Sequence, residues 1–326
     1  MRHVLRPFLM PLLRRAPDEV ERQLRYFSVE SDDGRQLVAG VGRAFLGGYH
    51  AMLAAEALLD VVSAGRSVEP HFRPFFFEGA AMGYLPRGYY TAGAGRERVE
   101  ADLLAMDRRF LYLYYVGLGF WYGFRHPGRP AALESLAPHL DPFYLPLCYD
   151  GFGFKLGFFD APKRPAAREI LRRAPVNRRA EIYQGYGRAL FFVCMDDESR
   201  FRREKAEVPA EHRGDLESGR SLAFAFTGLR QPERIFAHLA AAADADELAC
   251  RLLGVTWALT AREMNDPDYF ERCLAGLHPA KRRLLSLLPQ RCHEAQSASA
   301  DYAEWRANTK AAVRDAYAVS EEVRRP

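Results

Sequence analysis

The stretch AEIYQGYGRALFFV, Ala180 to Val193, decides the fold. Two glycines, Gly185 and Gly187, interrupt an apolar run in which alanine would favour a helix by about 1 kcal/mol each. Ala189 and Leu190 follow, and neither is a strand former. Five other segments share this grammar of an aromatic or apolar run, a glycine, then small residues and more aromatics. They are FFFEGAAMGYL, YYVGLGFWYGF, LCYDGFGFKLGFF, LESGRSLAFAF and RLLGVTWALTA. With Gly185 included, the first glycines are Gly79, Gly117, Gly151, Gly185, Gly219 and Gly254, at gaps of 38, 34, 34, 34 and 35 residues. A weaker seventh copy, AGVGRAF at Ala39 to Phe45, precedes them. Such spacing points to repeated supersecondary units.

A unit of this length holds two helices of roughly 12 residues and two short loops. The stretches between the glycine segments, ERVEADLLAMDRRF, RPAAREILRRA and QPERIFAHLAAAA, are polar and amphipathic, as outer helices are. The glycine segments then form inner helices with neighbours on both sides. Small residues four apart, as in Gly153/Gly157 and Gly185/Ala189, share a helix face and allow close backbone approach, a device familiar from membrane helices. The expected fold is all-α: a helical repeat array of six to seven helix pairs, curved or closed around an aromatic-lined cavity. Residues 1–30 read as a basic and apolar N-terminal segment, 31–296 as the repeat domain, and 297–326 as a C-terminal helix packed on the array.

Composition narrows the function. Hydrophobic residues make up 48% and charged residues 27%, a globular balance. The net charge of +4, with no basic stripe interleaved with aromatics, argues against a nucleic-acid partner. Five scattered cysteines with no C-x-x-C pair disfavour disulfides and structural zinc and fit a reducing cytoplasm. Phe110 to Phe124 spans fifteen residues, short of the roughly 20 of a membrane helix. A peripheral membrane role remains open for MRHVLRPFLMPLLRR, which carries four arginines and no acid. No histidine pairing, phosphate loop or dinucleotide fingerprint is present, so neither metal nor cofactor is expected. MDDESRF and REMNDPDYFERC superficially match metal-binding motifs of terpene cyclases. Arg200, Tyr269 and Cys273 stand where ligands are wanted, so both read as helix boundaries.

The residues just before the first glycines are Glu78, Val116, Asp150, Gln184, Ser218 and Leu253. In a repeat array such positions face one surface. Glu78 and Asp150 become carboxylates in an apolar lining, where desolvation raises a carboxyl pKa; they are the candidate acid/base pair. Arg188, Arg220 and Lys155 are the cations that would neutralise them or hold an anionic group. Gln184, Ser218, Tyr115, Trp121 and Trp257 complete the expected substrate-binding set. A buried polar network that fixes helix register is the competing explanation.

FEGAAMGY, YVGLGFWYGF, LDPFYLPLCYDGFGF, GYGRALFFV, DLESGRSLAFAFTGL and DYAEWR, in this order, resemble the UnbL-type proteins of enediyne biosynthesis loci. The resemblance runs from about Ser28 to the C-terminal helix. It implies a setting alongside an iterative polyketide synthase, its thioesterase, a membrane protein of electron-transport type and an UnbV-type repeat protein, jointly converting a linear polyene into an enediyne precursor. It transfers no catalytic residue. FWYGFRHPGR is more aromatic than the family pattern, and Lys155 stands where a polar or acidic residue is common. The combined expectation is a secondary-metabolite biosynthesis protein that binds and helps convert a long conjugated polyene. The alternatives are a non-catalytic carrier and a scaffold for a membrane redox partner.

Overall fold

The computed structural model describes residues 13, 14, 16, 18–88, 95–160 and 164–320. The basic N-terminal stretch, except for two of its residues, lies outside them. Among the described residues the chain is helical throughout, with no strand. In order the α-helices are α1 (Glu19–Leu24), α2 (Asp32–Ala54), α3 (Leu58–Arg66), α4 (Arg73–Arg87), α5 (Val99–Met106), α6 (Leu111–Arg125), α7 (Pro146–Phe159) and α8 (Arg164–Arg172). They continue with α9 (Arg179–Val193), α10 (Glu198–Ala206), α11 (Arg213–Gly228), α12 (Glu233–Ala240), α13 (Ala245–Asn265), α14 (Pro267–Leu274), α15 (Pro279–Ser297) and α16 (Tyr302–Ala318). None is long and apolar enough to cross a membrane.

All six glycine segments lie in helices: α4, α6, α7, α9, α11 and α13. The polar stretches between them give α5, α8 and α12, of eight or nine residues each and therefore shorter than expected. Between α6 and α7 the return is a 3-10 stretch, Pro130–His139, where Pro130 and Pro138 withhold the N–H groups an α-helix needs. MDDESRF and REMNDPDYFERC are indeed boundaries. Asp197 caps α10 by accepting from the Arg200 N–H, and Asp266 caps α14 by accepting from Tyr269, with Pro267 in the first turn.

Successive residues of an α-helix turn by about 100°, so positions i and i+2 lie on nearly opposite sides. Gly185 and Gly187 use this geometry. A Cβ on Gly185 would overlap the carbonyl of Asp150 on the preceding inner helix; one on Gly187 would overlap the carbonyl of Leu216 on the following one. The same relation recurs along the row. Gly117 seats on Glu78, Gly151 on Val116, Gly219 on Gln184 and Gly254 on Ser218, while Gly119 and Gly153 seat forward on Cys148 and Ile182. Small-residue pairs four apart act on one side only, Gly153 and Gly157 both facing α9. Contacts advance together, Gly153 meeting Ile182 and Gly157 meeting Tyr186 and Ala189, so adjacent inner helices run in the same direction and the outer segments make the return.

The start of the row differs from the sequence expectation. In α2 the equivalent contacts fall at Phe45, whose carbonyl receives Gly79, and at Gly48, which seats on Phe76. The first glycine of AGVGRAF, Gly40, lies six residues before Leu46, the position equivalent to the first glycine of the other segments. Gly40 there packs against the Phe72 ring, a side chain and not a backbone.

The end of α13 and the start of α14 touch the segments leading into α4 and α6. Arg262 near the end of α13 donates from Nε to the Phe226 carbonyl of α11 at 2.8 Å and from Nη1 to the His71 carbonyl before α4 at 2.9 Å. Asn265 donates to the Arg109 carbonyl before α6, and Arg73 pairs with Asp266 at 3.4 Å. At the other end Ser28 N–H donates to the Val193 carbonyl of α9 at 2.8 Å. Inner helices are tied outward by Tyr115 to Glu100 and Tyr149 to Glu134, each at 2.5 Å. α16 packs across α13 and α15.

Gly185→Ala should lower the melting temperature and cost roughly 1–3 kcal/mol, because even one methyl meets backbone that cannot step aside. Gly228→Ala, at the open end of α11 where a Cβ meets nothing within 4 Å, should be neutral or stabilising by up to about 1 kcal/mol. Equal melting shifts for the two would overturn the close-packing account.

Candidate functional site

The glycine contacts also fix where side chains point. The peptides whose carbonyls receive Gly117, Gly185 and Gly219 are those of Glu78, Asp150 and Gln184, and each is immobilised by the next helix. From this backbone the three side chains enter the inside of the row, all buried: 3% exposed for Glu78, 1% for Asp150 and 0% for Gln184.

Arg188, one turn beyond Gln184 on α9, joins them. Its Nη1 donates to Asp150 Oδ1, and its Nη2 stands 3.7 Å from Glu78 Oε1, an ion pair beyond hydrogen-bond range. Gln184 Nε2 donates to Asp150 Oδ2 at 3.0 Å. Asp150 is thus held on both oxygens, while Glu78 shares a cation at a distance. Burial, the largest influence, pushes the Glu78 carboxyl up to about 7; Arg188 opposes this and the Asp150 charge adds to it. Glu78 therefore changes protonation near neutral pH.

Two voids flank the layer, each of about 60 Å³, room for about four to six waters. The first is walled by phenylalanines, among them Phe45, Phe120, Phe154, Phe158 and Phe192, and carries the Glu78 carboxyl. The second is walled by Tyr112, Leu147, Trp257, Tyr302 and Trp305, with Asp150 and Gln184. Arg188, Leu222 and Phe226 belong to both walls.

The other candidates lie elsewhere. Lys155 donates to Asp160 at 2.7 Å and lies 5.2 Å from the Phe124 ring centroid; one residue past the inward-facing Phe154, it is turned by about 100°. Arg220 pairs with Glu198 of α10 and stacks on Phe201 at 3.8 Å, for the same angular reason. Tyr115 is committed to Glu100 and to the Asp141 N–H. Trp121 lines a separate recess with Tyr49 and Arg125. Ser218 is buried, with no hydrogen-bond partner for its hydroxyl among the described residues. Trp257 reaches the second void.

Sequence reasoning missed the contribution of α16. Its Tyr302 and Trp305 form one wall of the second void, and Trp305 lies 5.7 Å from Trp257, ring to ring. Arg306 anchors the helix by pairing with Asp215 of α11 and, at 3.9 Å, with Glu181 of α9. Tyr302 and Trp305 are three apart, hence on one face, within the DYAEWR motif. That aromatic face was the available signal. Among the described residues no group of three or more His, Cys, Asp and Glu side chains is arranged to hold a metal ion.

Glu78 binds its proton more tightly folded than unfolded, with about 7 against 4.5. Its contribution to stability is therefore lost as pH rises from 4.5 through 7 and is level above that. Glu78→Gln should flatten this slope in chemical denaturation and, at pH 8, be more stable by on the order of 3 kcal/mol, the 2.5-unit difference at about 1.4 kcal/mol per unit. A wild-type slope that persists in the variant would assign the titration to another group.

The family described as "Protein of unknown function (DUF1702)" matches residues 4–313. No curated protein and no solved structure matches the chain.

Proposed function

The chain belongs to the DUF1702 family, and we propose that it is a biosynthetic protein that takes a long, flat, conjugated hydrocarbon chain into the space inside its helical row and moves protons on it. In this reading the evenly spaced glycine segments are copies of one helix-pair unit, and the two voids are parts of an aromatic-lined cavity around which the units curve. The observation that carries it is the Glu78–Arg188–Asp150 layer between two apolar voids. A carboxyl poised near neutrality beside phenylalanine walls suits proton transfer to and from carbon.

The step needs no oxidant. The Glu78 carboxylate takes a proton from a carbon beside a double bond, the electron pair spreads along the chain, and the same carboxyl returns the proton at another carbon. A double bond moves and nothing is oxidised. Arg188 stays charged and limits the build-up of negative charge, and Asp150 with Gln184 positions Arg188. The substrate class, a linear polyene on the way to an enediyne-type polyketide, comes from the likeness of the glycine motifs to UnbL-type proteins. On the same ground a membrane redox protein removes electrons and an UnbV-type protein assists. A second reading, a carrier that shelters an oxidation-prone polyene, is favoured by the tethering of both Asp150 oxygens, which leaves Glu78 as the more loosely held acid of the layer.

Native mass spectrometry of protein from its own host should find a bound unsaturated hydrocarbon. In a heterologous host carrying the partner genes, Glu78→Gln should reduce product at least a hundredfold while ligand stays bound, and Asp150→Asn should reduce it less. Undiminished product from both variants would favour the carrier, and protein that never retains hydrocarbon would remove the ligand reading altogether.

A further inference from the structure

We infer that the two voids are halves of one site for an unbranched chain of about ten to thirteen carbons, whose middle and not its end lies against the charged layer. This rests on the hydrocarbon-binding reading above and specifies the ligand it would take. Three inner helices pass from one void to the other in the same sense. α6 contributes Tyr112 to the second void and Phe120 to the first; α7 contributes Leu147 and Phe158; α9 contributes Gln184 and Phe192. These pairs are eight, eleven and eight residues apart, about 12 to 16 Å at 1.5 Å per residue. An extended chain advances about 1.2 Å per bond, a third of an extended residue. Length therefore allows about ten to thirteen carbons.

Volume gives a compatible limit. Each void has room for about four to six waters, hence about five chain atoms, and neither alone holds more. The partition between them is side chain, not backbone: Arg188, Leu222 and Phe226 stand in both walls. Leu222 is partly exposed, as a residue beside unfilled space is. Glu78 borders one void and Asp150 the other, so the polar groups lie at the waist. A chain filling both halves is methyl-thin there and presents its central carbons to Glu78. The void walls favour a narrow, unbranched ligand.

The test is displacement of a fluorescent linear polyene by unbranched primary alcohols from about six to about sixteen carbons. Affinity should rise about fourfold per added carbon up to about ten to thirteen carbons and then level. A methyl branch at mid-chain should weaken binding at least tenfold, and the same branch near the end should not. Leu222→Trp, which thickens the partition, should weaken a twelve-carbon alcohol at least tenfold more than it weakens a six-carbon alcohol. Should that variant fold poorly, Phe226→Leu thins the partition and should restore the mid-chain-branched ligand. A rise that stops near six carbons, or branch effects independent of position, overturns the joined site while leaving the ligand reading intact. A polyene that does not bind at all overturns both.

Discussion

The structure depends on a backbone contact: a glycine of one inner helix seated on a carbonyl of its neighbour, made on opposite sides of α6, α7 and α9 and on one side of α4, α11 and α13. Each glycine costs up to about 1 kcal/mol of helix propensity. In return the missing Cβ lets the helix axes approach until the Cα hydrogens of Gly185 face the Asp150 carbonyl, a contact that contributes weakly by itself. The larger gain is indirect. Side chains that cannot sit between such close helices are displaced inward or outward, and the large ones are aromatic. Tyr115 and Tyr149 go outward to Glu100 and Glu134; Phe120, Phe154 and Phe192 go inward. The phenylalanine lining of the first void is thus a consequence of glycine between the helices.

The same contact makes the charged layer affordable in structural terms. A buried ion pair seldom stabilises more than apolar side chains of equal volume, because desolvation offsets the attraction. Here two carboxyls share one guanidinium, so one negative charge is uncompensated unless Glu78 holds its proton. Other ties between distant segments lie elsewhere, in Arg262 and Asn265 on the carbonyls of Phe226, His71 and Arg109. The layer at Glu78, Asp150 and Arg188 is separate from these, and it links Asp150 to Gln184 and Arg188 of the next inner helix.

Much of this was legible in the sequence because spacing and glycine chemistry are local signals. The six glycine segments share one grammar and are all helical, and Glu78, Asp150, Gln184 and Arg188 were all named from their places around those glycines. Angles were less legible. Lys155 and Arg220 each stand one residue from an inward or interhelical position, and one residue is about 100° of rotation; counting along the chain does not say which way a long side chain turns once Asp160 or Glu198 is within reach. The first helix misled because α2 has Leu46 where the others have their first glycine, so AGVGRAF offered a better string at the wrong height. The wall made by Tyr302 and Trp305 has no period to betray it, and its position depends on Arg306 finding Glu181 and Asp215 on other helices.

Glu78 and Asp150 occupy the same place in their segments, one residue before the glycine, yet burial pushes the Glu78 carboxyl up to about 7 while Asp150 is held on both oxygens. The difference lies in the next helix. For Asp150 that helix offers Gln184 before its glycine and Arg188 three after it; for Glu78 the corresponding residues of α6 are Val116 and Phe120. Two polar side chains hold both oxygens of Asp150, while two apolar ones leave Glu78 to burial, with Arg188 reaching it only at 3.7 Å. An acid tethered by a cation and an amide orients its partners; an acid against valine and phenylalanine takes up and gives up a proton. One backbone geometry used at two points along the row thus yields an anchor and a titrating group, and the distinction is written in the residues that the neighbouring helix presents.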